Sequence, residues 1–358
     1  MNIQAPLIAI GLDAADPELV DGYVADGTMP VLAGLRARGL SGRLAGAEVY
    51  RAETPWTNFL TGCRAETSGY WGPIRYNSQT YLTDEAGAYA FDRLPPFYTA
   101  VDGPVGVFDV PQTRLQPDLE GAQVLGWGSH SQQGPACSLP PGLLGELEAR
   151  FGTSPVDDET ATNAYDPDAL DGFNADVIEA LRRRGPLTAA LLLRQDWRMF
   201  LTVLGEPHSG GHELWHHGQP HPLQRAGVDR IRDLYRANDA VIGQILQAAP
   251  AGAHVVVFSL HGMVPNRLDV SSMAILPEVM ARWAFGRAFV AEGRDPPPEP
   301  RRDYARHWKH EIWRLRTAAG EAALEGPDLL KDRGDVLNWQ PAQWYRPLWP
   351  RMRAFALP

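Results

Sequence analysis

Apolar residues along the chain fall into two rhythms. Short runs almost free of charge, Pro6–Asp13, Pro104–Val110, Met199–Leu204 and His254–Leu260, have the pattern of strands buried on both faces. The stretch Val228 to Leu246 instead sets Val228, Ile231, Leu234, Tyr235, Val241, Ile242 and Ile245 at helical spacing. Asp16-Pro17 predicts a helix start, with Asp as N-cap and Pro at the first helical position. Pro30 to Ala37 predicts a second helix, with Val31, Leu32 and Leu35 on one face and Gly39 as its stop. Thr54 to Gly62 predicts a third, opened by Thr54 as N-cap and Pro55 at the first position. Strands alternating with amphipathic helices predict an α/β fold, a central mostly parallel sheet with helices on both faces.

Two regions break this rhythm. Gly121 to Leu170 is rich in Gly, Pro, Ser and Asp and reads as loops over the core or a small cap. Gly293 to Arg302 carries Pro296-Pro297-Pro298, a stiff linker. Tyr304–Ala323 beyond it reads as a surface helix, and the tail from Trp339 to Pro358, with three tryptophans and four prolines, as irregular structure across the core. The expected organisation is an α/β core from 1–120 and 185–275, a cap or insertion at 121–184, and a carboxyl-terminal extension at 276–358.

Composition narrows the function. With 44% apolar and 21% charged residues the chain is neither disordered nor a coiled coil. No apolar run approaches the roughly 20 residues of a membrane span. The start, Met1-Asn2-Ile3-Gln4, lacks the positive region of a signal peptide, so a cytoplasmic protein without membrane attachment is expected. A net charge of −10 without a basic stripe excludes nucleic acid as a partner. Cys63 and Cys137 are too few for a disulfide framework and lack metal-knuckle spacing; they read as small buried hydrophobes.

The chemistry concentrates in the histidines. Five of ten, His208, His212, His216, His217 and His221, fall in fourteen residues directly after the strand Met199–Leu204. Neutral imidazole is the commonest metal ligand. His212 and His216, four apart, share one face of a helix. Gly210-Gly211 argues against a continuous helix through His208, which then approaches from a loop. The cluster points to metal or anion binding. Ser259-Leu260-His261-Gly262-Met263 sets another histidine at a strand's carboxyl end, as Leu7–Asp13 sets a carboxylate. Open α/β sheets place ligands there. Asp13, His208, His212 and His261 then converge on one sheet edge, the donor types of catalytic zinc or manganese sites. Asp109 also ends a strand, as a cap or a cleft residue. His130 in Trp127-Gly128-Ser129-His130-Ser131 could reach over a site, and Trp215 could line an apolar wall or pack in the core.

Taken in order, Leu7–Asp13, Pro55–Gly62, Glu206–His212 and Ser259–Met263 resemble the alkaline phosphatase superfamily, in its type I phosphodiesterase/nucleotide pyrophosphatase branch. The resemblance implies an early Asp metal ligand, matched by Asp13. It implies a Thr nucleophile at a helix start before a Thr-Gly, matched by Thr61-Gly62. It implies an Asp-x-x-Gly-His segment for one metal, whose spacing His208–His212 fits, and a Ser-Asp-His-Gly-Met segment for a second, which Ser259–Met263 fits. This chain departs from the pattern. His208 stands for the first Asp, and Leu260, which ligates nothing, for the second. Counting back from Thr61-Gly62 puts Ala52 at the nucleophile position; aligning on Pro55 puts Glu53 there, beside Thr54. The family's late metal-binding His has only His307 and His310 as counterparts.

The resemblance implies a metal-dependent hydrolase of phosphate esters, phosphodiesters or related anhydrides, acting on a small phosphorylated molecule. It would use one or two divalent ions, zinc or else manganese, with Asp13, His208, His212, His261 and His216 as ligands. Thr54 is either the nucleophile or a plain N-cap; Glu53 is a ligand, a general base or a solvated acid. Leu260 and the displaced nucleophile support a second expectation, a relative that has lost phosphoryl transfer and either binds a ligand or partner without turnover or uses one metal for other chemistry.

Overall fold

The computed structural model describes residues 5–46, 53–77, 82–85, 87–128, 134–156, 167–215, 225–265, 270–291, 312–318 and 344–353. The chain divides into two compact units, Met1–Ile74 with Glu85–Val264, and Arg75–Asp84 with Pro265–Pro358.

The first unit is built on a sheet of six strands: β1 (Leu7–Leu12), β4 (Val105–Phe108), β5 (Gly121–Leu125), β6 (Cys137–Leu139), β7 (Met199–Leu204) and β8 (His254–Phe258). Their order is β6-β5-β4-β7-β1-β8. All neighbours run parallel except β6, which pairs antiparallel with β5 at the edge. β7 is buried at all six positions and β1 at five, as unbroken apolar runs require. The other two strands, β2 (Ile74–Asn77) and β3 (Leu82–Glu85), form a separate two-stranded sheet.

Helices cover both faces. Trp56 and Leu60 of α3 (Glu53–Thr61) pack in one core cluster with Ala9, Val107, Leu201 and Val203, alternate residues of three strands. On the Phe108 side lies α6 (Pro167–Leu192), whose Arg184 stacks over the Phe108 ring; α6 packs on α8 (Arg230–Ala248). The predicted starts of α1 (Pro17–Ala25) and α2 (Pro30–Arg38) hold. Asp16 accepts from the backbone N–H groups of Glu18 and Leu19. Met29 cannot cap α2, and Asp239 of α8 does so instead, taking the N–H groups of Val31 and Leu32 at 2.9 Å each. Burial pushes that carboxyl upward in pKa.

Three expectations change. The stretch Gly121 to Leu170, expected to loop over the core or form a cap, supplies β5 and β6 to the central sheet, then α5 (Leu143–Phe151) and the first turn of α6. Thr54 is not an N-cap, because α3 already includes Glu53. The described part of the tail is not irregular. It forms a 3-10 turn, Arg346–Arg351, in the second unit. There Trp344, Tyr345 and Leu348 pack with Ala281 of α9 (Leu276–Phe285) and Phe289. The expected linker at Gly293–Arg302 lies outside the described residues, as does most of the expected helix Tyr304–Ala323; α4 (Ala65–Ser68) and α7 (Glu206–Leu214) are further helices of the first unit.

Candidate metal centre

The strand register gathers the site. β1 lies between β7 and β8, with Leu12 opposite Leu204 and Gly11 opposite Phe258. Residues that follow these three strands therefore leave the sheet side by side, at its ligand-binding edge. The Asp13 N–H donates to the Leu204 carbonyl at 2.9 Å, and Ala14 then turns the chain away in the left-handed region, φ 53°.

Asp13, 1% exposed, is the centre of the cluster. Its Oδ2 lies 3.2 Å from His208 Nδ1 and its Oδ1 3.2 Å from His261 Nε2. The buried indole N–H of Trp56 donates to Oδ1 at 3.0 Å. His208 Nε2 meets His212 Nε2 at 2.9 Å, the two rings stacked at 4.8 Å. His208 is buried and His212 exposed, so the cluster runs from the core to the surface. Burial alone would raise the Asp13 carboxyl, but the adjacent His208 and His261 rings hold it well below the usual carboxylate range. Burial works to lower the His261 ring; the Asp13 carboxylate outweighs it and raises it, with a smaller push from the charge of Glu53.

His208 does not approach from a loop. Gly210 and Gly211 lie inside the continuous helix α7 (Glu206–Leu214), and His208 and His212 share its face. The glycines are there for packing. A β-carbon on Gly210 would sit 2.5 Å from Leu234 of α8, and one on Gly211 2.3 Å from the Met263 sulfur. Close approach of α8 and of the Ser259–Met263 loop outweighs the helix cost of Gly, about 1 kcal/mol each.

A buried ion network holds the first turn of α7. Arg184 Nε donates to Glu206 Oε1 at 2.6 Å, and Arg184 Nη2 lies 2.8 Å from Asp109 Oδ2. All three side chains are buried. Burial raises the Glu206 carboxyl although Arg184 opposes it. Asp109 also accepts the N–H groups of Trp127 and Gly128, so its role is the capping one. Trp127 is a core residue, its indole N–H on the Gly152 carbonyl.

The remaining predicted residues divide. Leu260 packs against the apolar cluster under the sheet edge. Thr54 is fully buried, its hydroxyl donating to the Trp71 carbonyl at 2.7 Å. Glu53, in the first turn of α3, is half-buried and close enough to act on His261. Trp215 is half-buried. His130, His216, His217, His221, His307 and His310 lie outside the described residues. Sequence reasoning missed Trp56, Arg184 and Glu206. Trp56 had a signal, standing three residues after Glu53 and so on the same helical face.

The donor set fits a divalent cation. One donor atom each from Asp13, His208 and His261 lies within 4.8 Å of the others. Donors sharing a small ion at bonds of about 2.0–2.2 Å sit roughly 3.3–3.6 Å apart, close to the two 3.2 Å separations. His261 Nε2 is buried without a well-formed hydrogen bond among the described residues.

A mostly parallel α/β sheet thus carries Asp13, His208 and His261 together beyond the carboxyl ends of three adjacent strands. The chain belongs to the type I phosphodiesterase / nucleotide pyrophosphatase family, whose model matches residues 7–311. No curated protein sequence matches it. Among solved structures it is similar to phosphonoacetate hydrolase from Sinorhizobium meliloti 1021. The complex with phosphonoformate is 18% identical with a TM-score of 0.48, and that with phosphonoacetate 19% identical with a TM-score of 0.49. Each match covers 82% of this chain and 66% of the other, so the chain spans just under two thirds of those proteins. Among the described residues no helix is long and apolar enough to cross a membrane.

Proposed function

We propose that the protein is a metal-dependent hydrolase of small phosphate esters, phosphodiesters or related anhydrides that works with one cation, zinc or manganese. The observation that carries this reading is the convergence of Asp13, His208 and His261 on one buried point. These three would hold the ion, which when bound supplies Lewis-acid polarisation of a phosphoryl oxygen and an acidified water. His212 meets the far nitrogen of His208 and orients that ring. The apolar Leu260, packed against the core cluster, supplies nothing to a second ion.

Water is the nucleophile in this reading, because the Thr54 hydroxyl is buried and spent on Trp71. Glu53 accepts the proton of the attacking water as the new P–O bond forms. The bond to the leaving group breaks, and that group takes up a proton from solvent at the exposed His212 side. The family itself supports the substrate class.

The test is hydrolysis of bis(p-nitrophenyl) phosphate and p-nitrophenyl phosphate by chelator-stripped protein reloaded with zinc or manganese. Turnover that returns with metal and falls strongly in Glu53→Gln supports the reading. Metal-independent turnover, or none with either metal, contradicts it. Leu260 and the committed Thr54 hydroxyl favour one alternative, a relative that keeps the ion but has lost phosphoryl transfer; full metal loading without turnover on these and natural nucleotides would select it.

A further inference from the structure

Trp56 is placed against the site with more care than packing demands. Its ring lies in the apolar cluster under the sheet edge, edge-on to Phe59 and Phe258. The space for it comes from Gly11, two residues before Asp13 in β1. A β-carbon there would stand 3.3 Å from the outer edge of the Trp56 ring, 2.9 Å from Val203 and 3.2 Å from Phe258. With that slot open, the indole N–H reaches Asp13 Oδ1 at 3.0 Å, both side chains buried. Indole nitrogen only donates. It can neither ligate a cation nor titrate, and it leaves the Asp13 charge intact.

The carboxylate has two histidine neighbours, one per oxygen: His261 at Oδ1 and His208 at Oδ2. A free carboxylate turns about its last bond and can offer both oxygens to one imidazolium. The indole N–H fixes the plane so that each oxygen keeps its own partner. Resting on the single-cation reading above, we propose that Trp56 is a positioning residue for the ligand Asp13. Its hydrogen bond prepares the Asp13–His208–His261 set for a cation before the cation arrives. Outer-shell partners of this kind change metal affinity by about 10- to 100-fold.

The experiment is zinc titration of the full chain against a chromogenic chelator, with melting curves of metal-free and zinc-loaded protein. Trp56→Phe keeps most of the ring and removes the N–H. Zinc Kd should weaken at least tenfold, and the melting gain on zinc addition should shrink. Leu60→Ala is the control, because Leu60 is buried in the same helix and cluster without a polar group. It should lower the metal-free melting temperature and leave zinc Kd within about twofold. Equal affinities in wild type and Trp56→Phe, or equal losses in Trp56→Phe and Leu60→Ala, overturn the proposal. Should Trp56→Phe not fold, the wild-type chain answers. The ¹⁵N-labelled Trp56 indole proton should be protected from exchange and shift when zinc is added; an unmoved resonance overturns the proposal. Wild-type protein that binds no zinc at all defeats the reading of the centre itself, a different failure from zinc binding that ignores Trp56.

Discussion

His208 and Asp13, 195 residues apart, meet Nδ1 to Oδ2 at 3.2 Å because β7 and β1 stay in register to their last residues, Leu204 and Leu12. The contact uses one ring nitrogen of His208 and leaves the other to His212, which ranks the two histidines. His208→Ala should weaken zinc binding by more than 100-fold, beyond an outer-shell loss, and His212→Ala by about 10- to 100-fold. Isothermal titration of both variants checks the order; a larger loss in His212→Ala would reverse the assignment.

The pair Arg184–Glu206 anchors the helix that carries both histidines. Removing one partner of a buried ion pair leaves an uncompensated charge, at a cost of about 3–5 kcal/mol. Arg184→Met should lower stability by that order in urea unfolding, since it strands both Glu206 and Asp109. A loss under 1 kcal/mol would mean that the network is not a structural anchor.

Thr54 separates a covalent from a direct route. With its hydroxyl on the Trp71 carbonyl, Thr54→Ala should cost about 1–2 kcal/mol of stability and keep at least a third of the zinc-dependent turnover. Turnover abolished at unchanged stability would make Thr54 the nucleophile.

Proton and cation compete for the same set. The His261 ring is raised above its ordinary value, about 6.5, by Asp13. In metal-free protein its contribution is therefore fully present below that value and lost as pH rises through the raised one. The Asp13 carboxyl is depressed, so its contribution is present above about 3.9 and lost as pH falls far below. Metal-free protein thus gains most from the pair in mildly acid solution, where a proton already occupies His261. The melting gain on adding zinc should grow from pH 5.5 to pH 8. Differential scanning fluorimetry checks the slope; a gain that is flat or falls with pH would contradict it.

Much of the scaffold could be read from residue pattern alone, and the reasons are specific. Strands β1 and β7 are buried on both faces and so appear as unbroken apolar runs. Asp13 and His208 were legible because each follows such a run, and His261 because it follows the apolar run of β8, although that strand is at the sheet edge and partly exposed rather than buried on both faces. What failed depends on partners that the residue pattern does not show. β5 hides because it carries the buried polar Gln123, which is satisfied by the main chain of Gln116. α6 hides behind Gly185-Pro186, yet a β-carbon on Gly185 would strike Gln244 of α8 at 1.8 Å. The glycines of α7 look like breakers for the same reason. Trp56 looks like any core aromatic until the fold sets it under Asp13.

The central claim is a single cation held by Asp13, His208 and His261. The most direct test is plasma mass spectrometry of metal per chain, on untagged protein reloaded with zinc and desalted, beside Asp13→Asn. The account predicts close to one zinc in the wild type and a small fraction of that in Asp13→Asn. Two zinc ions per chain, none, or an Asp13→Asn protein that retains the wild-type content would contradict it.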